Sequence, residues 1–511
     1  MDKSTAKQNS NLILFLFVVV KIVLQYLVVN SVYDLQRDEY LHLDQAQHLA
    51  WGFHSVPPIT SVISWIILQL GNGVFWVKFF PALFGALTIV VVWKTVESLK
   101  GSLFACILAA TALLLSVLVR INILYQPNSL DILSWTLVYF TLIRFIQTNH
   151  QKWLYWMAVS FALGFLNKYN IAFCAFGMLL ALPLTSQRRL FANPHFYYAG
   201  ILAFVLIVPN LIWQYQNDFP VFSHMKELAE TQLVHVKRMS FVKEQFFYFI
   251  GSLPILIAAF ISFFAFPAFK PYRLFFWAFV FTLAIFIFLK AKAYYAIGLY
   301  PILFAFGAIY LSQLLLSGWK FYLRYLLFAI MLFFFYVMVK ISMPIFSPEK
   351  YVEAAKQKLP FSEHTWEDGK KYPISQDFAD MLGWKELASK VDSIYEKLPN
   401  KNSVFILCDN YGQAGAINYY TKYKALKADA FIPDYIKWLN LDRDIETVIR
   451  IKTASNTDFE RDHRLFRSVM VVDKINNQFA RENGTQIILL SQPNVDIDSL
   501  LRKERAAGNL Q

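Results

Sequence analysis

The chain has 511 residues, of which 57% are hydrophobic, 17% aromatic and only 16% charged, and its mean hydropathy is +0.41. Such an apolar surplus excludes an ordinary soluble enzyme of this length. The net charge of +13 is spread over short loops and the tail, so it indicates membrane orientation and contact with anionic lipids instead of nucleic acid. These features predict a polytopic α-helical membrane protein.

Apolar windows long enough to cross a bilayer, about 20 residues each, recur up to residue 343. They predict about eleven transmembrane helices, at 11–30, 74–93, 102–119, 130–146, 153–166, 171–184, 196–213, 246–266, 274–289, 294–315 and 325–341. Alternate loops are basic, so the positive-inside rule places the N-terminus in the cytoplasm. Because the number of spans is odd, the remaining chain is predicted to lie on the outer side of the membrane.

A charged stretch, "SVYDLQRDEYLHLDQAQHLAWGFHSVPPITSV", follows the first predicted span. Asp38 and Glu39 lie at the predicted membrane edge, where a carboxylate is half-desolvated and costly to keep. The spacing predicts a short helix along the interface that ends at Pro57 and Pro58. The two acids have a second interpretation, as caps of that helix.

One carboxylate suffices for glycosyl transfer when the leaving group is a lipid-linked phosphate, since the protein then needs one general base and cations for the phosphate. Cations predicted on the same side are Arg37, Lys168, Lys290 and Lys292, with Arg120 nearby. Asp131 also lies on this side. The structural alternatives are lysines that snorkel at span ends, tyrosines of an interfacial belt and an aspartate cap for Asp131.

No cofactor is predicted from the sequence. His42, His48 and His54 recur every six residues, which is not the spacing of helical metal ligands. A divalent metal is left open, because Asp44 and His48 are four residues apart.

From residue 344 the composition of the tail is more polar, and helical patterns alternate with strand patterns. It contains an amphipathic helix around 380–398, the apolar run "SVFILC", the helix "AGAINYYTKY" and the strands "TVIRI", "SVMVVD" and "TQIILL". This order predicts a C-terminal soluble α/β domain. The predicted domains are a transmembrane catalytic domain, 1–343, with a first outer loop, 31–73, and a periplasmic α/β domain, 344–511. In "CDNYGQAG" a phosphate could sit at the start of the helix, although a plain turn is the more ordinary interpretation.

Six stretches occur together and in order: the acidic pair after the first span, "HLAWGF…PP", "YQPNSLDILSWTL", "LGFLNKYN", "AKAYYAIGLYPILFAFGA" and "NYGQAGAINYY". In this the chain resembles the bacterial branch of the protein O-mannosyltransferase and aminoarabinose-transferase superfamily, which are GT-C glycosyltransferases. The resemblance implies a GT-C fold and a polyprenyl-phosphate sugar donor. It further implies inverting transfer to a lipid, glycan or protein acceptor on the periplasmic side, as in lipid A modification.

Carried over by motif, the resemblance makes Asp38 the catalytic base. The expected substrate-binding residues are Arg37, Glu39, His54, Asp131, Lys168, Lys292, Tyr294 and Tyr295. Where many relatives have an acid before the two prolines, this chain has Ser55, which leaves any metal or sugar contact there open, with His54 beside it. Two other classes stay open: a transporter or flippase of lipid-linked sugars, and a scaffold that uses the tail.

Overall fold

The structure is a computed structural model that describes residues 3–357, 364–441 and 444–507, with side chains from residue 7 onward. Two compact units make up the chain. The helical unit comprises Met1–Val29, Trp51–Thr60 and Phe75–Ile345, and the sheet unit comprises Asn30–Ala50, Ser61–Val74 and Phe346–Gln511.

Up to residue 345 the regular structure is helical. In chain order the α-helices are α1 (Lys3–Leu27), α2 (Arg37–Asp44), α3 (Ile59–Gln69), α4 (Val74–Ser98), α5 (Leu103–Leu114), α6 (Leu118–Ile121), α7 (Asn128–Thr148), α8 (Lys152–Asn167), α9 (Ile171–Ala181), α10 (Pro194–Gln216), α11 (Pro220–Thr231), α12 (Arg238–Tyr248), α13 (Leu253–Ala265), α14 (Arg273–Phe288), α15 (Pro301–Leu314) and α16 (Leu323–Ser342).

The helical unit has the composition of a polytopic membrane protein. Within the described residues, six helices are long and apolar enough to cross a membrane, or up to nine if each bent helix pair counts as one span. The predicted number of about eleven spans stays a prediction. The predicted span 294–315 is broken: a 3₁₀ segment, Ala293–Leu299, meets α15 at an angle of 51°. The break falls at Pro301, which cannot donate a backbone hydrogen bond to the preceding turn.

Aromatic side chains fill much of the core of the helical unit. The ring of Phe306 on α15 lies 4.9 Å from Phe263, 5.0 Å from Phe269 and 5.4 Å from Tyr272, measured between centroids. These residues come from α13, α15 and the segment before α14, and all four are buried. Aromatic pairs at such distances add to the stabilisation from burial. They therefore tie together helices that are distant in the sequence.

The later part of the chain combines helices with strands. Its elements are α17 (Pro348–Lys356), β1 (His364–Thr365), β2 (Lys371–Tyr372), α18 (Gln376–Ala379), α19 (Trp384–Lys397), β3 (Val404–Cys408), α20 (Tyr411–Tyr420), β4 (Ala428–Ala430), α21 (Pro433–Trp438), β5 (Thr447–Lys452), α22 (Glu460–Leu465), β6 (Phe466–Lys474), β7 (Gln486–Pro493) and α23 (Ile497–Ala506).

Five of these strands form one sheet, in the order β4-β3-β5-β7-β6. β3 runs parallel to both of its neighbours, so that Ile406 pairs with Ala428 on one side and with Ile449 on the other. β7 runs antiparallel to β5 and β6. The three runs predicted as strands form β5, β6 and β7, and the apolar run "SVFILC" forms β3. β4 has only three residues and was not predicted.

Part of the predicted first outer loop packs with the tail inside the sheet unit. Tyr40 of α2 is fully buried, and its ring lies 5.7 Å from Trp384 and 5.9 Å from both Tyr419 and Tyr420. The predicted boundaries, 1–343 and 344–511, stay a prediction, and 358–363, 442–443 and 508–511 lie outside the described residues. Burial of this aromatic residue explains why 30–50 belongs to the same unit as the tail.

The close approach of α2 and α20 depends on a glycine. A Cβ atom on Gly415 would lie 2.7 Å from the Cβ of Tyr40 and 3.0 Å from its carbonyl carbon. Real Cβ atoms do not approach other atoms so closely, and backbone atoms cannot rotate away. The two helices could therefore not stay at this distance if position 415 carried a side chain.

We expect Gly415→Ala to destabilise the sheet unit by about 1–3 kcal/mol, the usual cost of overpacking. For a unit of this size, each kcal/mol lowers Tm by about 2–4 °C. The measurement is thermal unfolding of the purified full chain in detergent. The matched control is Gly200→Ala on α10, where nothing lies within 4 Å of the added atom. An equal Tm for both variants would contradict the close packing.

Candidate active site

The helix that carries Asp38 has a well-formed N-terminus. The Gln36 side chain accepts a hydrogen bond from the Asp38 backbone N–H at 2.9 Å, and Glu39 Oε2 accepts one from the Gln36 backbone N–H at 2.6 Å. This reciprocal pair is a capping box, and the acids of the first turn also favour the helix dipole. Glu39 thus caps the helix, which was the second interpretation of the acidic pair. Its contact with a substrate stays a prediction.

Asp38 is held by a residue of the tail. The Tyr411 hydroxyl donates a hydrogen bond of 2.7 Å to Asp38 Oδ1, and the Arg37 guanidinium lies 4.4 Å from the centre of the Tyr411 ring. Burial alone lowers the pKa of Arg37, but Tyr411 and Asp380 raise it above its ordinary value. Arg37 is therefore a cation next to the carboxylate, and the carboxylate has a fixed orientation.

Asp44 and His48, which follow in the same stretch, contact side chains of the tail. Asp44 Oδ2 accepts hydrogen bonds from the Tyr435 hydroxyl at 2.6 Å and from Asn418 at 2.8 Å. Burial raises the pKa of Asp44 to about 6, against the effect of these donors. His48 lies beyond the end of α2 and stacks on Trp438 at 4.3 Å. The four-residue spacing of Asp44 and His48 therefore does not place them on one helical turn.

Lys168 lies among tyrosines in the helical unit. α8 ends at Asn167, and the Lys168 ammonium donates a hydrogen bond of 2.7 Å to Asn128 Oδ1. The same ammonium lies 4.3 Å from the Tyr295 ring centre and 5.1 Å from the Tyr294 ring centre. A cation over aromatic faces is favoured electrostatically. Three separate stretches of the sequence thus meet at one lysine.

Asp131 is joined to the segment of Tyr295 through Asn170. Its Oδ1 accepts a hydrogen bond of 2.9 Å from the Trp135 indole, and its Oδ2 accepts one of 3.0 Å from the Asn170 amide. Asn170 also donates to the Tyr295 carbonyl at 2.9 Å. Asp131 is buried within α7 and bonds side chains, so it connects segments and is not merely a cap.

His54 belongs to a second polar group of the helical unit. His54 Nε2 lies 3.9 Å from Glu227 Oε2, and its ring lies 5.4 Å from His224. Burial, followed by His54, lowers the pKa of His224, and Lys292 contributes to the same effect. Lys292 is therefore close enough to act on this group electrostatically. A neutral imidazole is the form that binds metal ions.

This trio could hold a divalent cation. One ligand atom from each of His54, His224 and Glu227 lies within 4.8 Å of the others. Two nitrogens and one carboxylate oxygen suit Zn²⁺. Without an ion, the same geometry is that of a histidine–carboxylate ion pair.

We expect the purified chain without a histidine tag to bind Zn²⁺, and His224→Ala to weaken that binding by about 10-fold or more, because it removes one of only three candidate ligands. Competition with a chromophoric chelator measures the affinity. His48→Ala, which removes a histidine stacked on Trp438, is the matched control. Equal zinc affinity in both variants would assign the trio to the ion pair.

The structure thus groups the predicted residues in three sets. Lys168, Asp131 and the two tyrosines share one network, and His54 and Lys292 both act on His224. Arg37, Asp38 and Glu39 begin α2 in the sheet unit.

Several residues of these sets were not predicted. Tyr411 lies in the stretch "NYGQAGAINYY" and Asn170 in "LNKYN", which were singled out as family stretches but not by residue. His224 and Glu227 carry no local signal, since they become neighbours of His54 only through the fold.

Part of this sequence is similar to known glycosyltransferases. A protein-family model described as dolichyl-phosphate-mannose-protein mannosyltransferase matches residues 55–213. The lipid A galacturonosyltransferase RgtD of Rhizobium johnstonii is 24% identical over 198 residues, which is 37% of this chain. The matched region spans 41% of the length of that curated relative.

Solved structures match over nearly the whole chain. ArnT of Cupriavidus metallidurans bound to undecaprenyl phosphate has a TM-score of 0.62 and 13% identity, over 94% of this chain and 98% of that one. The same protein in the apo state has a TM-score of 0.60 and 12% identity, over 95% and 98%. The chain therefore has the fold of ArnT, that of a polytopic helical membrane protein.

Proposed function

We propose that this chain, which resembles the GT-C superfamily of the protein O-mannosyltransferases and aminoarabinose transferases, transfers a sugar from a polyprenyl-phosphate donor to an acceptor hydroxyl. The reaction would take place on the periplasmic side of the bacterial inner membrane, where the sheet unit would also lie. The transferred group is a hexosyl or pentosyl residue. Two similar proteins, a lipid A galacturonosyltransferase and ArnT bound to undecaprenyl phosphate, support this donor and a lipid A-like acceptor.

One observation carries the proposal: Lys168 is held by Asn128 over the rings of Tyr294 and Tyr295. A lysine ammonium with tyrosine hydroxyls nearby is a suitable set of donors for a phosphate that gains charge as it leaves. Lys292 lies two residues before Tyr294 and adds a second cation. In this role these residues bind the donor and stabilise its departing phosphate.

Asp38 completes the reaction as general base. The acceptor oxygen attacks the anomeric carbon from the side opposite the lipid phosphate, so the configuration inverts. The hydroxyl proton passes to Asp38, and the electron pair of the broken glycosidic bond leaves with the polyprenyl phosphate. Tyr411 holds the carboxylate in place through its hydrogen bond to Oδ1.

The test is made with purified protein in detergent and a radiolabelled sugar on undecaprenyl phosphate, with a delipidated envelope extract as acceptor. Formation of a labelled product together with free undecaprenyl phosphate supports the transferase. A transporter or flippase cannot form product without a membrane to cross, so donor that remains intact in an acceptor-rich mixture would reject the proposal. Mass spectrometry of lipids and glycans from cells with and without the chain identifies the acceptor.

A further inference from the structure

Tyr169, the residue after Lys168, takes part in a hydrogen-bonded network that has no role in the proposed reaction. Its hydroxyl accepts a hydrogen bond of 2.7 Å from the Gln214 amide and donates one of 3.1 Å to Asn210 Oδ1. Asn210 and Gln214 are four residues apart on α10, and both are buried. We call these three residues the Tyr169 network. The hydroxyl is used both as donor and as acceptor, so its position is fixed from two sides.

The helix that supplies these amides is otherwise apolar. α10 is one of the six described helices that are long and apolar enough to cross a membrane. Buried polar side chains in such a helix are costly unless they are hydrogen-bonded, and they usually serve a function. The Tyr169 network satisfies both amides and links α10 to the turn that carries Lys168.

The Tyr169 network also holds two neighbouring segments of the helical unit. Asn210 Nδ2 donates a hydrogen bond of 2.7 Å to the Trp51 carbonyl, in the connection before α3. Gln214 Oε1 accepts one of 3.4 Å from the Val221 backbone N–H, in the first turn of α11. Tyr169 is thus anchored to a part of α10 that is itself tied to two other segments.

The turn that carries Lys168 is bound on its other side to the start of α7. Asn167, which is buried, donates a hydrogen bond of 2.8 Å to the carbonyl of Pro127, the residue immediately before α7. The Lys168 ammonium itself bonds Asn128. The two residues next to the lysine, Asn167 and Tyr169, therefore fix its backbone to different helices.

We propose that Tyr169 is a positioning residue of the donor site, whose hydroxyl fixes the turn so that the Lys168 ammonium meets the donor phosphate. The inference rests on the proposed function for the role of Lys168, but binding of a phosphate lipid can be measured without any transfer. Groups that bind or stabilise a reacting ligand need supporting hydrogen bonds that hold them to within about 0.5 Å. The Tyr169 network gives Lys168 this support.

The test measures the affinity of the purified full chain in detergent for undecaprenyl phosphate by calorimetry. Tyr169→Phe keeps the ring, whose centre lies 5.0 Å from that of Phe165, and removes only the hydroxyl. We expect binding to weaken by about 10-fold, the scale of one or two lost hydrogen bonds. In the transfer assay, kcat/KM for the donor should fall by the same factor, while the KM for the acceptor should stay within about twofold.

Tyr155→Phe is the matched control. Tyr155 lies on α8, and its hydroxyl forms a hydrogen bond of 2.8 Å with His195 Nδ1 at the other end of α10. This variant therefore removes the same kind of bond to the same helix, far along the chain from the turn, and should bind undecaprenyl phosphate normally. Equal weakening in Tyr155→Phe and Tyr169→Phe would overturn the positioning role.

A double-mutant cycle separates positioning from an independent effect. In a chain that already carries Lys168→Met, Tyr169→Phe should cause no further loss of affinity for undecaprenyl phosphate, because Tyr169 acts through the lysine. If the two losses add, Tyr169 acts independently of Lys168 and the inference fails.

A second variant covers loss of folding in Tyr169→Phe, which thermal unfolding would reveal. Gln214→Met removes the hydrogen bond that the hydroxyl accepts and leaves Tyr169 in place. It should weaken binding of undecaprenyl phosphate in the same direction but less, by about threefold. Unchanged affinity in folded Tyr169→Phe, or in Gln214→Met if Tyr169→Phe does not fold, rejects the inference.

The two proposals fail separately. If the chain transfers sugar and the loss of the Tyr169 hydroxyl leaves undecaprenyl phosphate binding unchanged, only the inference is rejected. If binding depends on Tyr169 and Lys168 together but no sugar is transferred from the donor, the proposed function is rejected, and Tyr169 remains the positioning residue of a site for phosphate lipids.

Discussion

Replacing Asp38 by Asn is expected to lower the turnover of sugar transfer by about 10²- to 10⁴-fold, the usual contribution of a general base. The amide keeps the size of the carboxylate, and its oxygen can still accept the hydrogen bond from Tyr411. Asn cannot take the proton of the acceptor hydroxyl. Donor binding should therefore remain, and kcat should fall. Initial rates with radiolabelled donor measure the change.

Asp34→Asn is the control for this variant. Asp34 lies four residues earlier and pairs with Lys385 at 2.9 Å, and Lys385 is largely exposed. The Asp34 side chain is only 8% exposed, but Asn keeps its size and can still accept the hydrogen bond that the Lys385 backbone N–H donates at 3.2 Å. Asp34→Asn should therefore transfer sugar at nearly the rate of the natural chain. A similar loss in both variants would mean that the region needs its charge for folding. Full activity in Asp38→Asn would remove Asp38 from the chemistry.

Replacing Lys168 by Met is expected to lower kcat/KM for the donor by roughly 10²-fold, the scale found when a group that stabilises developing charge is removed. Met retains the apolar stem that lies against the tyrosine rings, whereas the ammonium is lost. The KM for the acceptor should stay within about twofold of its original value, because the lysine is assigned to the donor phosphate.

Two further variants check the Lys168 result. Lys168→Arg keeps the charge and should recover part of the donor kcat/KM. Lys270→Met removes an exposed lysine of a predicted inner loop and should have no effect. Equal changes in the donor and acceptor constants of Lys168→Met would contradict the assignment to the phosphate.

Hydropathy and strand patterns predicted much of the architecture because they are local. Long apolar windows such as 74–93 and 325–341 coincide with helices α4 and α16, and "TVIRI" coincides with β5. Proline positions modified these elements: the predicted span 294–315 is broken at Pro301. The three residues of β4 are too few to produce an alternating pattern, and only pairing with β3 makes them a strand.

The contacts of the candidate site could not be predicted from one sequence. Asp38 and Tyr411 are 373 residues apart, and a carboxylate carries no mark of its hydrogen-bond partner. The sequence did identify Lys168, Asp131 and the two tyrosines as candidates, because each lies in a family stretch at the end of a predicted span. The trio of His54, His224 and Glu227 was not predicted, because His54 lies in a connection before α3 and the other two residues lie in α11, about 170 residues later.

The packing of Tyr40 against Trp384, Tyr419 and Tyr420 has a consequence for biosynthesis. A ribosome makes the segment with the acidic pair early, but the aromatic residues that enclose it emerge only after more than 340 further residues. Until then this tyrosine has no hydrophobic neighbours from the tail. The packing around Tyr40 can therefore be completed only after residue 420 has been made, and we expect products that stop before Trp384 to lack it.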